Sequence, residues 1–290
     1  FAISPRFPVS PLRIAAILSR FMSQENRIDR RFAELKEQGK TAFVAYVCAG
    51  DPDMGRSLEI LFALERAGTD ILELGIPFSD PMADGIVNQM AAHRALEAGA
   101  TTKKVLDMIR EFRKTSETPI VVYTYMNPAY AYGYSEFHKD AAEAGVDGVL
   151  LLDLPPDEEG RNPELTEESE LKHIRLIAPT TPHERVPSLA SSGQGFIYYV
   201  SREGVTGAQQ SLAEGITENV AEIKEHASVP VVVGFGISTP EQAAEVARSA
   251  DGVVVGSAIV RQVEEHGSSN DVADRVEAFV KPLVDGTKSV

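Results

Sequence analysis

The chain has 290 residues, 43% of them hydrophobic, with 43 acids against 28 lysines and arginines for a formal net charge of −15, and a single cysteine, Cys48. A chain of this length buries roughly three quarters of the surface its unfolded form exposes, so it needs no staple, and one cysteine excludes an intramolecular disulfide. The shortage of basic residues argues against nucleic acid or an anionic membrane as partner, and no apolar run reaches the ~20 residues that span a bilayer.

Residues 1–21 hold Arg6, Arg13 and Arg20 and no acid, so the remainder is more negative than the whole. Met22 reads as the natural start, with residues 1–21 a poorly ordered non-native leader or extension. An acid-free, Arg-containing leader also fits a transit-peptide remnant, which would place the protein in a plastid. Otherwise the expected location is the cytoplasm, which suits a lone cysteine. Residues 22–290 are expected to form one catalytic domain.

From Phe43 onward, short apolar runs alternate with longer segments of helical periodicity. The runs are Phe43–Cys48, Asp70–Gly75, Pro119–Tyr125, Asp147–Leu154, His173–Ala178, Gly195–Val200, Val229–Gly234 and Asp251–Gly256. Continuous apolarity is what strands buried on both faces require. Helices are predicted between them over Ser57–Ala67, Lys103–Lys114, Ser135–Ala144 and Pro240–Ala247, from apolar residues three and four apart.

A weak repeat runs through the chain: AGTDILELG, AGVDGVLLLDLP and SADGVVVGS each place a small residue and an aspartate before a strand. Eight strand and helix units predict an α/β fold, a single (β/α)8 TIM barrel with an extra N-terminal helix. An open doubly wound sheet is the alternative, and it lacks its GxGxxG turn here.

In such barrels the functional residues lie at strand C-termini. After the seventh run comes Gly234-Phe235-Gly236 and after the eighth Gly256-Ser257. Small residues at helix starts let backbone amides approach an anion, so these segments predict a phosphate cup; tight turns alone would explain either one. Glu73 stands inside the second apolar run, where burial raises a carboxyl pKa and makes it a candidate acid and base, unless a neighbour satisfies it. Asp80 and Asp84 share the loop that follows, and composition does not choose between them. Tyr123, Tyr125 and Asn127, Asp153, and Tyr198 and Ser201 end the third, fourth and sixth runs. Arg202–Gly207 has the composition of a mobile lid, or of an ordinary exposed loop.

No lysine falls at the C-terminal end of a predicted strand, so a Schiff-base mechanism lacks its amine. The six histidines show no close pairing in sequence and no carboxylate cluster around them, so no metal site is expected. What remains is carboxylate acid–base chemistry on a phosphorylated substrate.

LELGIPFSDPMADG, YYVSREGVTGA, VGFGISTPEQ and VGSAIV together resemble the tryptophan synthase alpha chain family, from about Arg27 to Val284. The first motif is specific; the last two are common to phosphate-binding barrels. The resemblance implies retro-aldol cleavage of indole-3-glycerol phosphate to indole and glyceraldehyde 3-phosphate, with Glu73 and Asp84 as catalytic residues. It implies Tyr46, Tyr125, Tyr198 and Thr206 as substrate-binding residues, and Gly207, Phe235, Gly236, Gly256 and Ser257 around the phosphate. It implies no cofactor on this chain, pyridoxal phosphate being expected only on a beta-chain partner in an α2β2 tetramer. A stand-alone lyase, another phosphate-sugar barrel isomerase or synthase, and a silent regulatory partner are the alternatives. Tyr46, Ile86 and Tyr123 depart from residues usual in the family, respectively Phe, Pro and an aliphatic side chain; no catalytic group is lost.

Overall fold

A computed structural model describes residues 26–155, 158, 170–201, 209–234 and 236–290, with the side chains of 209–214 outside the description. Residues 1–21 and the Arg202–Gly207 loop, with the expectations attached to them, lie outside the described residues.

The barrel is built from β1 (Ala42–Cys48), β2 (Ile71–Gly75), β3 (Ile120–Thr124), β4 (Gly148–Leu151), β5, β6 (Ile197–Val200), β7 (Val231–Gly234) and β8 (Gly252–Val255). Strand β5 comes in two pieces, Lys172–His173 and Arg175–Ile177, on either side of Ile174. Its first piece pairs with β4 and its second with β6, so a single strand closes the ring. Every pairing is parallel, and β8 lies against β1. All eight predicted runs are strands.

Eleven α-helices accompany them in the described residues: α1 (Arg27–Glu37), α2 (Met54–Arg66), α3 (Ile86–Glu97), α4 (Thr102–Phe112), α5 (Met126–Tyr132), α6 (Tyr134–Ala144), α7 (Val186–Ser191), α8 (Gln209–His226), α9 (Pro240–Ala247), α10 (Ser257–His266) and α11 (Val272–Thr287). Alternate strand residues serve two cores, as period-two side chains must. Ala45, Val47, Leu72 and Val122 face the helices. Val44, Tyr46, Ile71, Val121, Phe196 and Tyr198 fill the barrel. Helix α1, capped by Asn26 accepting from the Ile28 amide, adds Ile28, Phe32 and Leu35 to that interior.

The sequence repeat has a structural cause. Each repeated aspartate precedes a strand and accepts the amide of the neighbouring one: Asp70 from Phe43 at 2.7 Å, Asp147 from Ile120 at 2.8 Å and Asp251 from Val231 at 2.8 Å. Each also holds a cation. Asp70 pairs with Arg31 and Lys288, Asp147 with Arg27 and Arg113, and Asp251 with Lys224. Buried carboxylates persist only when paired and hydrogen-bonded; Asp70 and Asp147 are buried and are both, and Asp251, only half-buried, is held in the same way.

Candidate active site

The strand C-termini surround a cavity of about 620 Å³. Tyr46, Asp84, Tyr123, Tyr198, Gly234, Gly236, Gly256 and Ser257 are among the residues that line it. Sequence-predicted site residues from six strands thus meet in one place.

Glu73 is two residues from interior-facing Ile71 on β2, so it points into the barrel. It is in register with Tyr46 on β1 and with Val121 on β3. The residue is 0% exposed, and both carboxyl oxygens lack a hydrogen-bond partner. Burial, reinforced by the charge of Asp84, pushes its carboxyl up to about 8. Among the described residues no neighbour satisfies either oxygen. Its charge also acts on the hydroxyls of Tyr198, Tyr46 and Tyr123, which burial above all holds in the neutral form.

The structure separates the two loop aspartates. Asp80 is exposed, whereas Asp84 is half-buried. Tyr123 Oη donates to Asp84 Oδ1 at 3.0 Å and Tyr125 Oη to Oδ2 at 2.8 Å. Tyr125 Oη in turn accepts the Ala83 amide at 3.0 Å. Burial raises the Asp84 carboxyl, and the donors Tyr125, Tyr123 and Asn88 work against that rise by favouring the ionised form. Helix α3, which starts two residues later, is anchored further along by Arg94, bidentate to Asp51 at 2.9 and 2.8 Å.

Gly75 makes room for the Tyr46 hydroxyl: a Cβ on Gly75 would lie 2.5 Å from Tyr46 Oη. The Tyr46 and Tyr123 rings meet edge to face, centroids 5.2 Å apart.

The anion-binding side differs between its two helices. At α9, a capping box closes the start: Gln242 Oε1 accepts from the Ser238 and Thr239 amides and Thr239 Oγ1 from the Gln242 amide. Its opening amides are therefore satisfied internally. At α10 the cap is Gly256, with no side-chain bond; the Ile259 amide turns back to the Gly256 carbonyl, which leaves the Ser257 and Ala258 amides open among the described residues, with Ser257 lining the cavity. Loop 7 contributes Gly236, whose φ of 63° favours glycine. Thr206, Gly207 and Phe235 lie outside the described residues.

Sequence reasoning missed the lining residues Asn88, Thr180 and Arg261, and it named Tyr123 at a strand end without its role as donor to Asp84. Tyr123 and Tyr125 are two apart, which was the available signal that both point the same way. Asp153 proves structural, accepting the Met126 amide at 2.7 Å at the start of α5. The histidines are not all solitary: buried His138 and His173 stack with centroids 5.4 Å apart. No group of His, Cys, Asp or Glu among the described residues is arranged to hold a metal ion.

An eight-stranded parallel barrel with carboxylates and open helix amides gathered at one mouth defines a (β/α)8-barrel enzyme. The family model described as "Tryptophan synthase alpha chain" matches residues 32–288. A tryptophan synthase alpha chain from Opitutus terrae is 48% identical over 264 residues, covering 91% of this chain and 99% of the relative. One from Citrifermentans bemidjiense is 47% identical, covering 90% and 97%. Among solved structures, tryptophan synthase subunit alpha from Legionella pneumophila superposes with a TM-score of 0.80 at 39% identity, covering 91% and 98%. Tryptophan synthase from Mycobacterium tuberculosis gives 0.82 at 34% identity, covering 92% and 100%. The chain belongs to the tryptophan synthase alpha chain family. It is accordingly a lyase of tryptophan biosynthesis.

Proposed function

We propose that Glu73 and Asp84 carry out the cleavage of indole-3-glycerol phosphate. The observation that supports this most is a fully buried carboxyl without a partner, next to a carboxylate held by two phenols. With its pKa raised to about 8, Glu73 is protonated near neutral pH. It gives its proton to indole C3, forming an indoleninium-like cation. The resulting carboxylate takes the proton of the glycerol hydroxyl on the carbon attached to C3. The bond between that carbon and C3 breaks, its electron pair returns to the indole ring, and the hydroxyl becomes the aldehyde of glyceraldehyde 3-phosphate. Glu73 ends protonated, as it began.

Asp84 accepts the indole N–H and stabilises the positive charge that grows there. Tyr46, Tyr125 and Tyr198 shape the pocket, with Thr206 closing it. The phosphate is met by Gly207, Phe235, Gly236, Gly256 and Ser257, mostly through backbone amides, which suits a protein of strongly negative charge. A beta chain carrying pyridoxal phosphate is the partner, in an α2β2 tetramer, and the cytoplasm the expected location. No helix among the described residues is long and apolar enough to cross a membrane.

Indole release from indole-3-glycerol phosphate, compared for wild type, Glu73→Gln and Asp84→Asn, tests the assignment. Both variants should lose most turnover and still bind a phosphate-bearing ligand. Wild-type turnover in Glu73→Gln would sink the mechanism. Repeating the assay with and without a beta chain separates a subunit from a stand-alone lyase.

A further inference from the structure

We propose that Tyr123 is a positioning residue that docks the Asp84 loop onto the barrel wall and fixes the rotation of its carboxylate before substrate arrives. This rests on Asp84 serving the reaction.

The loop from Ile76 to Gly85 starts buried at Ile76 and Pro77 and then emerges: Met82 is 81% exposed, and Ala83 and Gly85 are exposed beside it. Its start is held to the barrel by the Ile76 amide donating to the Tyr123 carbonyl, whereas from Asp80 onward its backbone bonds are local, Met82 amide to Asp80 carbonyl and Asp84 amide to Pro81 carbonyl. Among the described residues, the side-chain hydrogen bonds that tie residues 80–85 to the barrel strands and their ends converge on two hydroxyls. Tyr125 holds one carboxylate oxygen and the Ala83 amide, and Tyr123 holds the other oxygen. One donor leaves a carboxylate free to turn about its Cβ–Cγ bond. Two donors, one per oxygen and from adjacent positions on the same side of the β3 end, define its plane.

Tyr123 is itself set by edge-to-face packing with the Tyr46 ring. The groups facing Asp84 are Glu73 on β2, Tyr46 and Cys48 on β1, Tyr123 and Tyr125 at β3, Tyr198 on β6 and Asn88 on α3. Of these, the phenols of Tyr123 and Tyr125 and the amide of Asn88 stabilise the ionised carboxylate by donation. Removing one donor therefore raises the pH at which Asp84 ionises.

The experiment compares wild type, Tyr123→Phe, Tyr123→Leu and Asp84→Asn by the pH profile of kcat/KM for indole-3-glycerol phosphate cleavage and by amide hydrogen exchange over residues 80–85. Tyr123→Phe keeps the ring against Tyr46 and loses only the hydroxyl. The expected result is a fall of about tenfold in kcat/KM, as for one hydrogen bond to a charged group. An acidic limb moved upward by about half a pH unit and faster exchange over 80–85 should accompany it, with Tyr123→Leu behaving alike if the phenylalanine variant fails to fold. An unmoved limb together with unchanged exchange, while Asp84→Asn is inactive, overturns the positioning role. Full turnover in Asp84→Asn instead overturns the reading of Asp84, and exchange over 80–85 then decides the docking by itself: faster in Tyr123→Phe supports it, unchanged refutes it.

Discussion

Glu73 and Tyr46 are register partners on adjacent parallel strands, which sets an unpartnered carboxyl beside a phenol at the floor of the barrel mouth. Because burial raises Glu73 to about 8, Glu73→Gln should reduce turnover by roughly 10²–10⁴-fold, the usual range for loss of a general acid and base. Steady-state indole release measures it.

The same shift predicts a pH dependence of stability with a definite sign. Between the unfolded carboxyl pKa near 4.5 and the folded value near 8, the unfolded chain releases the proton that the native state keeps, so Glu73 weakens the fold progressively as pH rises through this window. The full effect is on the order of 5 kcal/mol. Glu73→Gln should match wild type in denaturant titrations near pH 4 and exceed it near pH 9. Parallel curves at both pH values would contradict the buried, unpaired carboxyl.

Gly75→Ala places a methyl against Tyr46 Oη. Overpacking of this kind costs about 1–3 kcal/mol and should tilt the Tyr46 ring out of the pocket, raising KM. Tyr46→Phe removes the obstructing oxygen, so the double variant should recover most of the lost stability. Thermal unfolding of the four members of that cycle gives the coupling directly.

At the opposite end of the barrel, Asp147→Ala strips the partner from Arg113 and the acceptor from the Ile120 amide. Removing one side of a buried pair costs about 3–5 kcal/mol. The loss should appear in urea midpoints, with KM for the substrate unchanged in protein that remains folded.

Much of this was legible before folding was considered. The β strands announce themselves because both faces are buried, and Glu73 stands out as a charge inside such a run. Asp70, Asp147 and Asp251 were visible as a repeat, though not what they bind. Helix α3 was harder: it buries Ala91, Ala92 and Ala95, a face too small in side-chain volume to give a strong periodic signal. The choice of Asp84 over Asp80 is made by tyrosines about 40 residues away in sequence, and the stacking of His138 on His173 likewise joins distant segments. The satisfied start of α9 is a matter of Gln242 turning its amide oxygen toward the Ser238 and Thr239 amides. Only the folded chain brings those groups together.

The basal aspartates carry a further meaning. Through a strand amide, Asp70 joins β2 to β1, Asp147 joins β4 to β3 and Asp251 joins β8 to β7, so each of these clasps spans one βαβ unit, while the ion pairs of Asp70 with Lys288 and of Asp147 with Arg27 reach across units. A chain nicked or permuted between β2 and β3 keeps every clasp within a continuous stretch, whereas a break between β1 and β2 leaves Asp70 to find its strand across a gap. The molecule therefore has a grain, along which it is divisible into modules and across which it is not, and fragment complementation should follow that grain.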